Sequence, residues 1–232
     1  MVAIIERVSA LLLLLLTAHA LWIHTNGGEL EPWEIIALEV LWLPLLVKCK
    51  SCRRPLLVLF AAYTGYFSPR LLELLPKDLF IRIMMPDVIS VNMFLEMIGV
   101  PWRLKPVKDV GILVIMKKPV AFYTVGCSSL RAAPLLVLTA LAAPGSLKRR
   151  ILAAALGALL SLPANAIRVW GILAVAEYFH LDFHTAHVLI SPLFSIIFVG
   201  LVMVLQDKVL PGYLDVIADG VDCLFSCIPK PW

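Results

Sequence analysis

Side-chain amides are nearly absent from this chain of 232 residues: glutamine occurs once, at Gln206, and asparagine three times, at Asn26, Asn92 and Asn165. Scarcity of these thermolabile groups is a bias of proteins from hot habitats. Charge is thin as well. Asp, Glu, Lys and Arg make up 16% of the chain, against about a quarter in an ordinary soluble domain. So few charges cannot clothe a water-soluble body of this size, which excludes a soluble globular enzyme. No base-stacking motif accompanies the basic residues, which excludes a nucleic-acid partner.

What fills the chain instead is hydrocarbon: 61% of residues are hydrophobic and the mean hydropathy is +0.94. A transmembrane helix needs roughly 20 mostly apolar residues to cross a core about 30 Å thick. The expected fold is an all-α polytopic membrane protein. It has about six transmembrane helices and a small extracytoplasmic cap containing a short helix and short strands, and residues 1–232 form one membrane domain. The spans are expected at about 3–23, 33–47, 55–75, 128–144, 151–167 and 187–205, with the cap at about 76–126 and a cytoplasmic tail at 206–232. The first stretch has signal-peptide features in Arg7, Leu11 to Leu16 and Ala18-His19-Ala20, but its apolar length reads as a span.

The net charge of +4 is concentrated in two runs, Lys48-Cys49-Lys50-Ser51-Cys52-Arg53-Arg54 and Lys148-Arg149-Arg150. Basic clusters beside apolar stretches mark cytoplasmic loops, so the cap faces outward and the chain sits in the cell membrane. Val88 to Val100 reads as a short amphipathic or re-entrant helix, and Ile112 to Ile115 and Val120 to Val125 as short strands.

This topology brings Cys127, Arg168 and His187 to one depth, at the outer ends of the last three spans. A cysteine nucleophile needs a base or cation to favour its thiolate, and Cys127 just precedes an expected helix start, where the dipole helps. Arg168 is a charge beside a span, the kind that usually faces the protein interior. Asn165, one turn earlier, is expected to orient its guanidinium. Arg131, four residues after Cys127, is a second cation on the same expected helical face. His187 titrates near neutrality and can act as general acid or base. Each also has a plain structural reading: a small buried hydrophobe, a snorkelling arginine and an interfacial histidine.

Together, Gly126-Cys127-Ser128-Ser129-Leu130-Arg131, Asn165-Ala166-Ile167-Arg168-Val169 and Ala186-His187 resemble the exosortase/archaeosortase family in motif, order and approximate spacing. That family has a Cys-Ser-Gly-like motif, an Asn-x-x-Arg motif and a histidine, replaced by arginine in some archaeal members. The likeness runs over roughly residues 55–205. Ser129 stands where the family usually has glycine, and Val188 and Pro192 stand where it often has an acid and then glycine, which leaves His184 as an alternative to His187. The resemblance implies a membrane-embedded cysteine peptidase or transpeptidase. It would cleave the C-terminal sorting signals of exported proteins (a short motif, an apolar span and a basic tail) through a thioester acyl-enzyme. A lipid or another acceptor, or water, would resolve that thioester. In this reading Cys127 attacks, Arg168 stabilises the oxyanion, His187 moves the proton, and no cofactor takes part.

Other constellations remain open. Cys49, Cys52, Cys223 and Cys227 all fall on the expected cytoplasmic side and would suit a four-thiolate zinc site. Cys49-x-x-Cys52 also suits a membrane thiol–disulfide oxidoreductase. His180, His184 and His187 have a helical spacing that would suit zinc, though without a His-Glu-x-x-His element. A non-enzymatic, transporter-like protein is the remaining class.

Overall fold

The computed structural model describes residues 7–8, 10–15, 17–19, 32–48, 52–117 and 119–226. About half of the expected first span at 3–23, together with residues 20–31, Cys49 and Cys227, therefore lies outside the described residues.

The described chain is mainly helical. Helix α1 is Pro32–Lys48, and α2 is Arg53–Phe67, prolonged by the 3-10 turn Ser68–Leu74. Helix α3, Lys77–Met97, leads to strands β1 (Arg103–Val107), β2 (Gly111–Ile115) and β3 (Pro119–Phe122). A second 3-10 turn, Val125–Cys127, precedes α4 (Ala132–Ala142), α5 (Leu147–Tyr178), α6 (Phe183–Val209) and α7 (Tyr213–Ser226).

Local chemistry explains the breaks. Pro144 and Gly145 end α4, and Gly145 has φ +132°, a conformation open to glycine but strained for other residues. Ser146 then caps α5 by accepting from the Arg149 N–H at 3.4 Å. Asp182 caps α6 by accepting from the Thr185 N–H at 3.0 Å. Between α5 and α6 the chain reverses at His180, which adopts φ +55°.

Among the described residues, two helices combine the length and apolarity needed to cross a membrane, α5 with 32 residues and α6 with 27. The sequence led us to expect six. Helix α4 has only 11 residues, a rise of about 16 Å, because the turn carrying Cys127 takes up its expected first residues. Helices α1 and α2, with 17 and 15 residues, fall short of about 20. Helix α5 does not stop at Ile167, where the expected span ended, but runs on to Tyr178.

The cap region differs in detail. Its helix is the 21-residue α3, longer than the Val88 to Val100 segment read from sequence. The strands form an antiparallel sheet in the order β1-β2-β3, which includes β1, a strand the alternation did not reveal. Leu104, Ile112 and Val114 are buried against Met84, Val88, Val91 and Leu95 of α3, and this core continues to Cys127, Ala166 and Val169. Asn92 holds β1 like a neighbouring strand, donating to the Leu104 carbonyl at 2.9 Å and accepting from its N–H at 2.7 Å.

Gln206 is fully buried on α6, and its amide donates to the carbonyls of Leu136 (3.0 Å) and Ala153 (2.9 Å), tying three helices together. Helices α2 and α4 meet backbone to backbone at Gly65, where a Cβ would lie 2.5 Å from the Leu135 nitrogen. The C-terminal segment folds back as α7 and packs on α2. There Cys52 and Cys223 form a disulfide. It occupies two of the four thiolates considered for zinc, so the four-thiolate site is not formed. It also joins Cys52 to Cys223, where the oxidoreductase reading paired it with Cys49. The bond stands beside Arg53 and Arg54, on the face expected to be cytoplasmic, although disulfides mostly persist in oxidising compartments, hyperthermophiles excepted.

Candidate active site

The chain leaves β3 through Tyr123 and Thr124 and tightens into the turn that carries Cys127. The Cys127 N–H donates to the Thr124 carbonyl at 3.0 Å, and the Ser128 hydroxyl donates to the Val125 carbonyl at 2.9 Å. A carboxylate grips each side of the turn. Glu73 accepts from the Val125 N–H at 3.0 Å and pairs with Arg70 at 2.9 Å. Asp87, on α3, accepts from the Ser129 N–H at 3.2 Å. Ser129 has a negative φ, so nothing in the backbone here demands the glycine that the resembling family usually carries.

Cys127 is the free cysteine among the described residues, and it is 8% exposed. Its Sγ lies 4.0 Å from Nδ1 of His187, in the second turn of α6. The His187 ring stacks on Phe183, with centroids 6.0 Å apart. Arg168 comes from α5 and is 9% exposed. Its Nη1 donates to the Ser195 hydroxyl at 3.2 Å and its Nη2 to the Gly126 carbonyl at 3.5 Å, while Nε has no hydrogen-bond partner. Burial alone raises the Cys127 thiol. The His187 hydrogen bond and charge, the Arg168 charge and the Thr124 backbone outweigh it, bringing the thiol from 9.0 down to about 7. The helix dipole invoked from sequence is not the cause, since α4 begins five residues later, at Ala132.

No family model, curated protein or solved structure matches this chain.

The remaining candidates divide. Arg131 is buried, its guanidinium 5.0 Å from the centre of the Tyr66 ring. A Cβ on Gly126 would lie 3.8 Å from Arg70 Nη2 and 4.0 Å from Arg131 Nη1. With Arg168 on the Gly126 carbonyl, three guanidiniums surround this one residue. Arg131 is not one helical turn beyond Cys127 as expected, because the segment between them is not helix. Asn165 does not orient Arg168 either: its amide donates to the Tyr123 hydroxyl at 2.7 Å and to the Asp87 oxygens at 3.1 and 3.2 Å. His184 is exposed at the start of α6. His180 lies outside that helix, so the three-histidine alignment is broken, and among the described residues no cluster of three metal-ligating side chains occurs.

Gly126, Ser128, Arg131, Asn165 and Arg168 form the polar end of a cavity of about 430 Å³ between α4, α5 and α6, whose other walls include Leu135, Ile196 and Val199. Sequence reasoning missed Asp87, Tyr123, Glu73 and Arg70. Asp87 did leave a signal, as the one acid in the apolar run from Ile83 to Val91. The others look like ordinary cap residues.

Proposed function

We propose that this chain is a membrane-embedded cysteine peptidase or transpeptidase of exosortase type, acting on exported proteins that end in a short motif, an apolar span and a basic tail. The observation that carries the reading is the Cys127 Sγ at 4.0 Å from His187 Nδ1, with the Arg168 guanidinium fixed beside it on the Gly126 carbonyl. These residues stand 41 and 60 positions from the cysteine, yet they meet on one turn.

The chemistry follows from that geometry. His187 takes the thiol proton, and the thiolate attacks the scissile carbonyl. Arg168, whose Nε is a spare buried donor, stabilises the oxyanion in a site largely shielded from water. His187 returns its proton to the leaving amine, and a thioester remains on Cys127. An incoming nucleophile, a lipid headgroup or water, then gives up a proton to His187 and releases the acyl group.

Helix lengths fit a site at the far membrane face from the basic cluster. The 18 residues from Arg150 to Arg168 rise about 27 Å, near the thickness of the apolar core. We extend the two span-capable helices to a six-span arrangement. Helix α2 with its 3-10 prolongation, 15 and 7 residues, reaches about 36 Å, and α1 runs beside it. Helix α4, at about 16 Å, makes up its span only together with the Cys127 turn, and the apolar stretch at 3–23 is counted as the sixth from sequence.

The test is co-expression with a reporter ending in such a tripartite tail. The wild-type chain releases the tail, whereas Cys127→Ala leaves it attached. Release by Cys127→Ala at the wild-type rate would end the proposal.

A further inference from the structure

Asp87 is 2% exposed, and among the described residues no Lys, Arg or His forms an ion pair with it. A buried carboxylate is costly unless hydrogen bonds satisfy it, and here they converge from three separate elements. The Tyr123 hydroxyl donates to Oδ2, the Ser129 N–H donates to Oδ1 at 3.2 Å, and the Asn165 amide donates to both oxygens at 3.2 and 3.1 Å. Tyr123 follows β3 directly and leads into the nucleophile turn, Ser129 lies two residues beyond the nucleophile, and Asn165 is one helical turn before Arg168. Each donor is thus covalently close to a reacting group, and all three share one acceptor.

We propose that Asp87 is a positioning residue that sets the placement of the Cys127 turn relative to α5, and through it the approach of the thiol to His187 and Arg168. Asp87 itself touches no reacting atom. Without its two oxygens, the Ser129 N–H and the Tyr123 hydroxyl lose their buried acceptor, and the Asn165 amide keeps only the Tyr123 hydroxyl. The turn then relaxes towards other acceptors. The catalytic consequence rests on the peptidase reading, but the placement of the thiol does not.

The experiment therefore uses no substrate. The purified full-length protein in detergent is alkylated with iodoacetamide across pH, and the adduct on the Cys127 peptide is followed by mass spectrometry. Wild type should show a midpoint at about 7. Asp87→Ala should move it one to two units towards the ordinary 9.0. At pH 7 a two-unit move lowers the thiolate fraction about fiftyfold, while the more basic thiolate recovers about eightfold in nucleophilicity, so the net loss of rate is about sixfold. Asp87→Asn keeps one acceptor oxygen for Ser129, and the Asn165 amide can flip to match it. Its midpoint should stay within about half a unit of wild type, a rescue that a purely charge-based role would not give. A cooperative thermal unfolding transition certifies each variant as folded. If Asp87→Ala does not fold, Tyr123→Phe decides: it removes one donor, keeps the ring, and should raise the midpoint by several tenths of a unit. A folded Asp87→Ala with an unmoved midpoint would overturn the proposal, as would Asp87→Asn shifting as far as Asp87→Ala, or an unshifted Tyr123→Phe. If Asp87 passes while Cys127→Ala still cleaves, only the peptidase reading falls.

Discussion

Replacing Arg168 by lysine keeps the positive charge and removes the fork, so it separates geometry from charge in the proposed oxyanion role. The guanidinium uses Nη1 on Ser195 at 3.2 Å and Nη2 on Gly126 at 3.5 Å, leaving Nε spare. A lysine stem is shorter and ends in a single point of charge, so it cannot satisfy both acceptors and still present a donor to the substrate. Losing one oxyanion donor typically costs a factor of about 10²–10³ in kcat. With charge retained, Arg168→Lys should fall at the low end, about a hundredfold, equivalent to about 2.7 kcal/mol. The donor is needed in the transition state more than in the bound ground state, so KM should stay within about twofold. The assay is initial-rate cleavage of a purified tripartite-tail substrate in detergent, with thermal unfolding as the folding control. A kcat within threefold of wild type, or a raised KM at unchanged kcat, would refute this role for Arg168.

Three further outcomes follow from the same geometry. His187→Ala removes the main influences lowering the Cys127 thiol and leaves burial in place, so the acidic limb of the alkylation profile should move from about 7 to about 9 or above; in wild type, the reactive form is lost as pH falls through 7. Gly65→Ala places a Cβ 2.5 Å from the Leu135 nitrogen, a clash with backbone rather than a yielding side chain. It should cost at least the upper part of the usual 1–3 kcal/mol for overpacking, and lower Tm by about 6 °C or more. Converting Cys52 and Cys223 to serine removes a link across 171 residues; the loss should be about 2–5 kcal/mol, read as a lowered Tm that reductant no longer changes.

The parts of this molecule legible in its sequence are those whose signal is local or strongly periodic. Long apolar runs gave away α5 and α6, and β-branched clusters gave β2 and β3. Strand β1, Arg103-Leu104-Lys105-Pro106-Val107, was hidden because charges and a proline interrupt it, and it is held as a strand by Asn92 from a different element. The boundaries around Cys127 were misjudged for a similar reason. Residues 128–131 read as the start of a span, yet Glu73 and Asp87 hold the backbone here in a 3-10 turn followed by a further turn, and helix begins only at Ala132. Cys127, Arg168 and His187 were legible as residues, and the structure brings all three to one turn. Asn165 was singled out for the wrong partner, because the helical periodicity that linked it to Arg168 says nothing about a carboxylate 78 positions away.

The most direct test of a nucleophilic Cys127 is intact-mass analysis of the protein mixed with its tripartite-tail substrate and quenched in acid during turnover. A hydroxylamine-labile adduct with the mass of the acyl fragment should map to the Cys127 peptide and be absent from Cys127→Ala. Substrate cleavage that proceeds with no adduct at Cys127, and equally well in Cys127→Ala, would contradict it.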